Sequence, residues 1–159
     1  MIAFEKSVGA VIFRRGGDEI YYLLLDYGKM KNGKDYWGFV KGHTEKGEND
    51  EETMRREVLE ETGISGLEII SGFSKNDRYF YRASGEEKEK RKKSGRKTLI
   101  AKKAVYLLSE TKSENVKLSH EHIDFAWLPF EEALERLTYK SAKKTLEKAK
   151  TFLEKSLPC

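Results

Sequence analysis

Apolar segments along the chain predict seven β-strands. The first two, Ser7–Arg14 and Ile20–Tyr27, are rich in β-branched and aromatic residues, and a Gly-Gly-Asp turn separates them. This pattern predicts a pair of strands joined by a tight turn. Five later segments have the same character and are also predicted to be strands. They are Tyr36–Val40, Leu67–Phe73, Arg78–Ala83, Leu99–Leu108 and Ile123–Leu128.

A helix is predicted in the first half of the chain, ending at Thr62. Either Asn49 or Asp50 can cap its start, and Gly63 follows its last residue, as is typical of helix ends. The segment before this helix, Gly42 to Gly47, has a glycine at both ends and is predicted to be a loop.

Two further helices are predicted near the C-terminal end. Pro129 marks the start of one, because proline fits the first turn of a helix, and the residues up to Arg136 have a helical composition. The other covers Ser141–Lys155, where apolar residues recur at spacings of four, three and four. Strands on both sides of a central helix, followed by C-terminal helices, predict an α/β (α+β) sandwich in which helices flank a mixed β-sheet.

The chain length and the distribution of charge indicate a single domain with one basic insertion. A length of 159 residues predicts one domain over residues 1–159, because two ordinary domains need a longer chain. The net charge is +4, and the segment Glu86–Lys97 alone has seven basic and three acidic residues. We expect this segment to form the tip of an extended hairpin, inserted at about residues 84–97. A basic excess confined to one loop is weak support for a nucleic-acid surface.

Composition also narrows the cellular location that we expect. The longest uncharged apolar runs are about six residues, whereas a membrane span needs roughly 20. The single cysteine, Cys159, excludes an intramolecular disulfide and a cysteine metal cluster. No secretion signal is expected at the N-terminus. We therefore predict a cytoplasmic protein that does not enter the membrane.

Three carboxylates are predicted to share one face of the first helix. Glu57, Glu60 and Glu61 fall within about 100° of the helix surface. Arg56 lies four residues before Glu60 and can hydrogen-bond to it, but one cation cannot neutralise three acids. Oxygen ligands favour a hard divalent cation, Mg²⁺ first and Mn²⁺ next, and Mg²⁺ often also binds substrate phosphates. For these carboxylates alone, a solvated helix face without a ligand is the alternative.

The residues around the carboxylates follow the pattern G-x5-E-x7-R-E-U-x-E-E-x-G-U, in which U is apolar. With this pattern the chain resembles the Nudix hydrolases, and no position within the motif departs from theirs. The resemblance implies an α/β/α sandwich that holds metal ions against a diphosphate, and a substrate in which a nucleoside diphosphate is linked to another group. The positions of the motif are Gly42, Glu48, Arg56, Glu57, Val58, Glu60, Glu61, Gly63 and Ile64.

The resemblance also implies a role for each residue of the motif. The three glutamates of the helix would bind metal ions, and one of them or a metal-bound water would act as the base. Gly42 would contribute its carbonyl as a metal ligand. Glu48 and Arg56 would hold the helix and the carboxylates in position.

Outside the motif, the chain is similar to the asymmetrical diadenosine tetraphosphate hydrolases of the animal and archaeal type. Their W-x-x-P-K-G-H element corresponds to Trp37–His43, although Val40 replaces the usual proline and leaves the loop freer. Their L-S-H-E-H element corresponds to Leu118–His122. Their G-F followed by Y corresponds to Gly72-Phe73 and Tyr79, and their K-T corresponds to Lys97-Thr98.

This second similarity implies the residues that contact the substrate. Lys41 and His43 would face the polyphosphate, and Lys97 would contact a phosphate. Tyr79 would stack on an adenine, although it lies in an aromatic cluster where some rings belong to the core. Glu121 would be a further carboxylate near the metal ions and a candidate base.

Three functional hypotheses follow from these motifs. The first is hydrolysis of diadenosine tetraphosphate to ATP and AMP. The second is Nudix hydrolysis of an oxidised nucleoside triphosphate, ADP-ribose or an RNA 5′-triphosphate, and the basic segment favours the RNA substrate. The third is a non-catalytic Nudix fold that binds nucleotides or RNA. Such a module would be expected to lose metal carboxylates, and here all three are present.

Overall fold

A computed structural model describes residues 2–156, so Cys159 lies outside the described residues. The described residues form an eight-stranded mixed sheet with helices on both faces, which confirms the predicted sandwich. None of the described helices is long and apolar enough to cross a membrane. The elements are β1 (Ile2–Gly16), β2 (Glu19–Lys29), β3 (Asp35–Gly38), β4 (Val40–His43), α1 (Asp50–Thr62), β5 (Glu68–Ile69), β6 (Lys75–Arg82), α2 (Gly85–Lys93), β7 (Leu99–Glu110), β8 (Asp124–Pro129), α3 (Phe130–Arg136) and α4 (Lys140–Ser156).

β1 organises the sheet because three strands pair with it. It runs parallel to β7 over Ile2–Phe13, and from Phe13 to Gly16 it pairs antiparallel with β2. Its earlier part, Ser7–Ala10, pairs antiparallel with β4. The sheet therefore forks on one side of β1, with β2 on one branch and β4 on the other. In the described part of the chain β4 has no second partner strand, so its outer edge is open.

Alternate residues of β1 pack into two separate cores. Val8 and Ile12 contact the core beneath α1, which includes Val58 of that helix. Val11 and Phe13 belong to the core beneath α3 and α4 on the opposite face. Residues in the middle of β1 are buried on both sides, as expected for a central strand that is covered by helices.

Two caps fix the ends of α1. The Asn49 side chain accepts a hydrogen bond from the Glu52 N–H at 2.8 Å, and the Glu52 carboxylate accepts one from the Asn49 N–H at 3.3 Å. Gly63 adopts a left-handed conformation with φ of 73°, and its N–H donates to the Leu59 carbonyl at 2.9 Å. The bounds of α1 confirm the predicted helix.

The segment Tyr36–Val40, predicted to be one strand, forms parts of two. β3 pairs with β2, whereas β4 pairs with β1, so the chain changes branch of the fork at the buried Phe39. Gly42 consequently lies within β4, and the predicted loop, Gly42 to Gly47, begins only at Thr44.

The predicted strand Leu67–Phe73 is also wrong over most of its length. Only the two residues of β5 are extended and paired, and the next strand, β6, begins at Lys75. Leu67 packs into the core under α1, whereas Phe73 packs into the core under α3 and α4. Residues six apart in a continuous strand face the same side of the sheet, so the packing of Leu67 and Phe73 on opposite faces excludes one strand over this segment.

The basic insertion folds as a helix rather than as the tip of an extended hairpin. β6 and β7 do pair antiparallel, but α2 connects them. The Arg91 side chain is 5% exposed and donates to Glu5 at 2.7 Å and to Glu87 at 3.0 Å. Acidic residues in the first turn of α2 and basic residues in its last turn suit the helix dipole. The order of charges along the segment therefore stabilises the helix once it has formed.

Candidate functional site

Two neighbouring cavities share the side chain of Lys41. One, of about 590 Å³, lies between α1, β4 and the loop before β8, and we call it the acidic cleft. The other, of about 550 Å³, lies on the α3 and α4 side of the sheet, and we call it the aromatic pocket. The acidic cleft is lined by Glu57, Glu60, Glu61 and Glu121 among others, and the aromatic pocket by Tyr36, Tyr79, Tyr106 and Tyr139.

Glu57 lies directly against the backbone of Gly42. A Cβ atom at Gly42 would overlap the Glu57 carboxylate, so only glycine leaves room for this contact. Burial raises the pKa of Glu57, contact with Arg56 opposes that shift, and the negative charges of Glu61 and Glu60 raise the pKa further. The carboxylate is therefore held in a place where a nearby positive charge would stabilise it.

The Arg56 guanidinium connects the residues around the acidic cleft. It donates two hydrogen bonds to the Glu48 carboxylate, at 2.7 and 3.0 Å, and one to the His43 carbonyl at 2.9 Å. Its remaining group, Nη1, donates to Glu57 at 2.8 Å and to Glu60 at 3.3 Å. The contact predicted between Arg56 and Glu60 is therefore present, but it is longer than the bonds to Glu48 and Glu57.

Glu48 ties the loop before α1 to the helix. Besides Arg56, its carboxylate accepts hydrogen bonds from the Thr53 hydroxyl at 3.0 Å and from the Glu45 N–H at 2.8 Å. The hydrogen bonds from Arg56 and then from the Glu45 backbone lower the pKa of Glu48 to about 2. Glu48 remains ionised at neutral pH, and it fixes Arg56 beside the carboxylates.

A second group of ligand atoms lies at the C-terminal end of α1. Glu61, Glu121 and His122 each offer an atom, and these atoms are all within 4.8 Å of one another. Glu61 Oε2 is buried and has no hydrogen-bond partner among residues 2–156. A buried carboxylate oxygen without a partner is unfavourable unless a cation binds it. Together with Glu57 and Glu60, these residues fit a divalent cation.

Lys41 lines both cavities, and a second lysine, Lys102, lies near it. Burial lowers the pKa of Lys41, the positive charge of Lys102 lowers it further, and Asp77 opposes this shift. Lys102 lies directly opposite Tyr79 in the pairing of β6 with β7, on the aromatic-pocket face of the sheet. Two neighbouring cations, both half-buried, favour an anionic ligand at this point.

The structure brings most of the predicted site residues together. Lys97 is the exception, because it is exposed between α2 and β7 and lines neither cavity. Tyr79 lines the aromatic pocket and is 40% exposed. Residues lining the acidic cleft include Lys41, Gly42, His43, Arg56, Glu57, Glu60, Glu61 and Glu121.

Several residues around the two cavities were not predicted from the sequence, among them Tyr36, Tyr139, Lys102 and His122. Tyr36 and Tyr139 pack edge to face in the aromatic pocket, with ring centroids 5.1 Å apart. Lys102 was predicted only as part of a strand, and His122 was part of a motif without a role. Alternation along β7 could have indicated Lys102, because it shares a face with Tyr106, but the pairing with Tyr79 cannot be read from sequence.

The chain is similar to known proteins over most of its length. The family model for the NUDIX domain matches residues 3–149. The asymmetrical bis(5′-nucleosyl)-tetraphosphatases of Mus musculus and Rattus norvegicus are 36% and 34% identical to the chain, with 93% of this chain and 95% of each relative covered. A crystal structure of a Caenorhabditis elegans Ap4A hydrolase binary complex has a TM-score of 0.73 and 28% identity, and covers 95% of this chain and 98% of its own.

We predict that Glu48 makes stability depend on pH in the acidic range. Its pKa of about 2 in the folded protein lies below the value of about 4.3 for an unfolded glutamate. Its contribution to the free energy of unfolding is therefore complete above about pH 5 and is lost as the pH falls toward 2. In urea unfolding between pH 2.5 and 7, the stability difference between the wild type and Glu48→Gln should be largest at pH 7.

The matched control is Glu89→Gln, which changes an exposed glutamate of α2. Its unfolding free energy should follow that of the wild type across the whole pH range. A difference between the wild type and Glu48→Gln that stays constant down to pH 2.5 would contradict the role given to the Glu48–Arg56 pair.

Proposed function

Because the chain belongs to the Nudix family of hydrolases, we propose that it cleaves diadenosine tetraphosphate asymmetrically, to ATP and AMP. The observation that carries the proposal is that Lys41 lines both cavities. A dinucleoside polyphosphate has an aromatic base, then an anionic chain, then an anhydride bond that can be cleaved. The aromatic pocket, the lysines and the acidic cleft offer matching groups in the same order. The activity of the mouse and rat relatives supports this assignment.

In the acidic cleft, the carboxylates of α1 and Glu121 are proposed to hold the divalent cation together with the Gly42 carbonyl. Nudix hydrolases generally use divalent metals, and we propose Mg²⁺ first and Mn²⁺ next, as the carboxylate oxygens favour. When bound, the cation lowers the pKa of the attacking water and offsets charge on the leaving phosphate. Glu121, or one of the glutamates of α1, takes the proton from the water. Arg56 holds Glu57 and Glu60 in position throughout.

The rest of the substrate is proposed to lie across Lys41 and into the aromatic pocket. Lys41, Lys102 and His43 would contact the phosphate chain, and Tyr79 would stack on the adenine of the nucleotide that leaves as ATP. Water then attacks the terminal phosphorus at the other end of the chain. The bond from that phosphorus to the bridging oxygen breaks, so the water oxygen stays on AMP.

Other Nudix substrates are the alternatives to diadenosine tetraphosphate, and the hydrolysis assay described below compares them with it. ADP-ribose and oxidised nucleoside triphosphates also offer a base and a diphosphate, and the exposed lysines of α2 would suit the 5′-triphosphate of RNA. A cytoplasmic location stays a prediction of the sequence.

The decisive experiment is hydrolysis of diadenosine tetraphosphate with Mg²⁺ in ¹⁸O-water. We expect equal amounts of ATP and AMP, with the label in AMP, because the attacked phosphorus is the terminal one. The value of kcat/KM should exceed those for ADP-ribose, 8-oxo-dGTP and triphosphorylated RNA. Two molecules of ADP as products, or a higher kcat/KM for another of these substrates, would overturn the proposed substrate.

Two matched variants test the proposed role of the carboxylates. Glu60→Gln and Glu61→Gln each remove one negative charge and keep the side-chain volume, so kcat should fall by orders of magnitude while thermal unfolding without metal stays close to that of the wild type. Near-normal kcat in both variants would refute the assignment of these residues to the metal ions.

Tyr79→Ala should mainly raise KM for diadenosine tetraphosphate. Stacking of a base on an aromatic ring contributes about 1–3 kcal/mol, so KM should rise about fivefold to 150-fold with kcat little changed. The control is Phe80→Ala, because Phe80 is 68% exposed and points to the opposite face of the sheet. Equal effects of the two variants would remove Tyr79 from the proposed binding site.

Lys102→Ala and Lys97→Ala separate two candidates for the phosphate-binding lysine. A hydrogen bond to a charged group contributes about 1.5–3 kcal/mol, so loss of Lys102 should lower kcat/KM about tenfold or more. Lys97→Ala should leave kcat/KM unchanged, since Lys97 is exposed between α2 and β7, whereas Lys102 lies opposite Tyr79 and near Lys41. The reverse result would favour the assignment that the sequence motif implies.

A further inference from the structure

We infer that His122 is a nitrogen ligand in the acidic cleft, and that it forms with Glu61 and Glu121 a position for a divalent transition cation such as Mn²⁺ or Co²⁺. The position differs in chemistry from the one beside Glu57 and Gly42, where all donors are oxygen atoms. The inference rests on the proposed function only in so far as both require a cation in the cleft. It does not depend on which nucleotide is hydrolysed.

Backbone hydrogen bonds place the loop of His122 against the end of α1. The N–H groups of Lys117 and Ser119 donate to the carbonyls of Thr62 and Glu61, at 2.8 and 3.1 Å. These carbonyls belong to the last turn of the helix and have no partner within it. The position of the loop beside Glu61 is therefore fixed by the main chain, before any side-chain contact is considered.

The imidazole of His122 is itself held in a defined orientation. Its side chain is 1% exposed, and its ring packs edge to face on Tyr27 with centroids 4.6 Å apart. Tyr27 is fixed in turn, because it stacks on Tyr36 and its hydroxyl donates to the Phe39 carbonyl. A surface histidine would rotate freely, whereas this ring is positioned as a ligand requires.

Neither nitrogen of His122 has a hydrogen-bond partner among the described residues. Nε2 lies 3.0 Å from Glu61 Oε2, yet the two atoms are not aligned as a hydrogen bond. Two ligand atoms that are each about 2.1 Å from one ion, and at right angles around it, are about 3.0 Å apart. The separation of Nε2 and Oε2 therefore fits two neighbouring ligands of one cation.

A nitrogen donor changes which cation the position prefers. Carboxylates alone suit Mg²⁺, whereas imidazole adds affinity for transition metals, in the order Mn²⁺ below Co²⁺. Replacing His122 should therefore weaken the binding of Co²⁺ and Mn²⁺ far more than that of Mg²⁺. A histidine that serves only to hold Glu61 in place would affect all three cations alike.

The direct test is electron spin-echo envelope modulation of the protein loaded with Mn²⁺. The chain has three histidines, His43, His120 and His122. We expect ¹⁴N modulation from a bound imidazole in the wild type and in the double variant His43→Gln/His120→Gln, which retains only His122. The modulation should disappear in His122→Gln, whose folding is checked by thermal unfolding without metal.

Two results would overturn the inference. One is Mn²⁺ that binds without imidazole ¹⁴N modulation, and the other is modulation that is lost in the double variant. If His122→Gln does not fold, the double variant alone still decides the question. Calorimetric titration with Co²⁺ should also show at least about tenfold weaker binding in His122→Gln, with a smaller change for Mg²⁺. Because no substrate is present, failure here is distinct from failure to hydrolyse diadenosine tetraphosphate.

Discussion

Repulsion between carboxylates at one end of α1 is the constraint on which the acidic cleft depends. Glu57, Glu60 and Glu61 lie toward the C-terminal end of the helix, where the helix dipole is negative and no basic residue occupies the last turn. Arg56 contacts two of these carboxylates, but it also binds Glu48 with two hydrogen bonds, so its single charge is shared among several acids. The cleft therefore retains an excess of negative charge. A helix that served stability alone would place lysines here, and their absence makes a cation the natural partner.

The fork in the sheet explains how these acids come to lie close to the aromatic pocket. β4 pairs with β1 beside α1, and this pairing brings the backbone of Gly42 under the Glu57 carboxylate. The residue before it, Lys41, points to the opposite face because strand residues alternate. Neighbouring residues of one short strand thus line both cavities. The two cores fix β1 in place, because its alternate side chains pack under α1 on one face of the sheet and under α3 and α4 on the other.

The parts of the site that follow from local spacing could be predicted from the sequence, whereas those that depend on strand pairing could not. The positions of Glu57, Glu60 and Glu61 follow from helix periodicity, and the caps at Asn49 and Gly63 set the bounds of α1. Pairing, in contrast, decides that Lys102 is opposite Tyr79, and it involves residues far apart in the chain.

The helix α2 was not predicted from the sequence for a different reason. Its many charges resemble a solvated loop, and the contact of the buried Arg91 side chain with Glu5, 86 residues earlier in the chain, anchors one side of this segment. The segment between Leu67 and Phe73 was mispredicted because its apolar residues suggest one strand, whereas in the fold they pack into two different cores.

The open edge of β4 has a consequence for the length of the ligands that can bind in both cavities. The aromatic pocket and the acidic cleft lie toward opposite faces of the sheet, and Lys41 on this edge strand is shared by both. A ligand that fills the two cavities at once has to bend around the rim of the sheet at this point. The linker between its base and its scissile bond must therefore be long enough to reach from one cavity to the other. Compounds with too short a linker can occupy either cavity but cannot engage both.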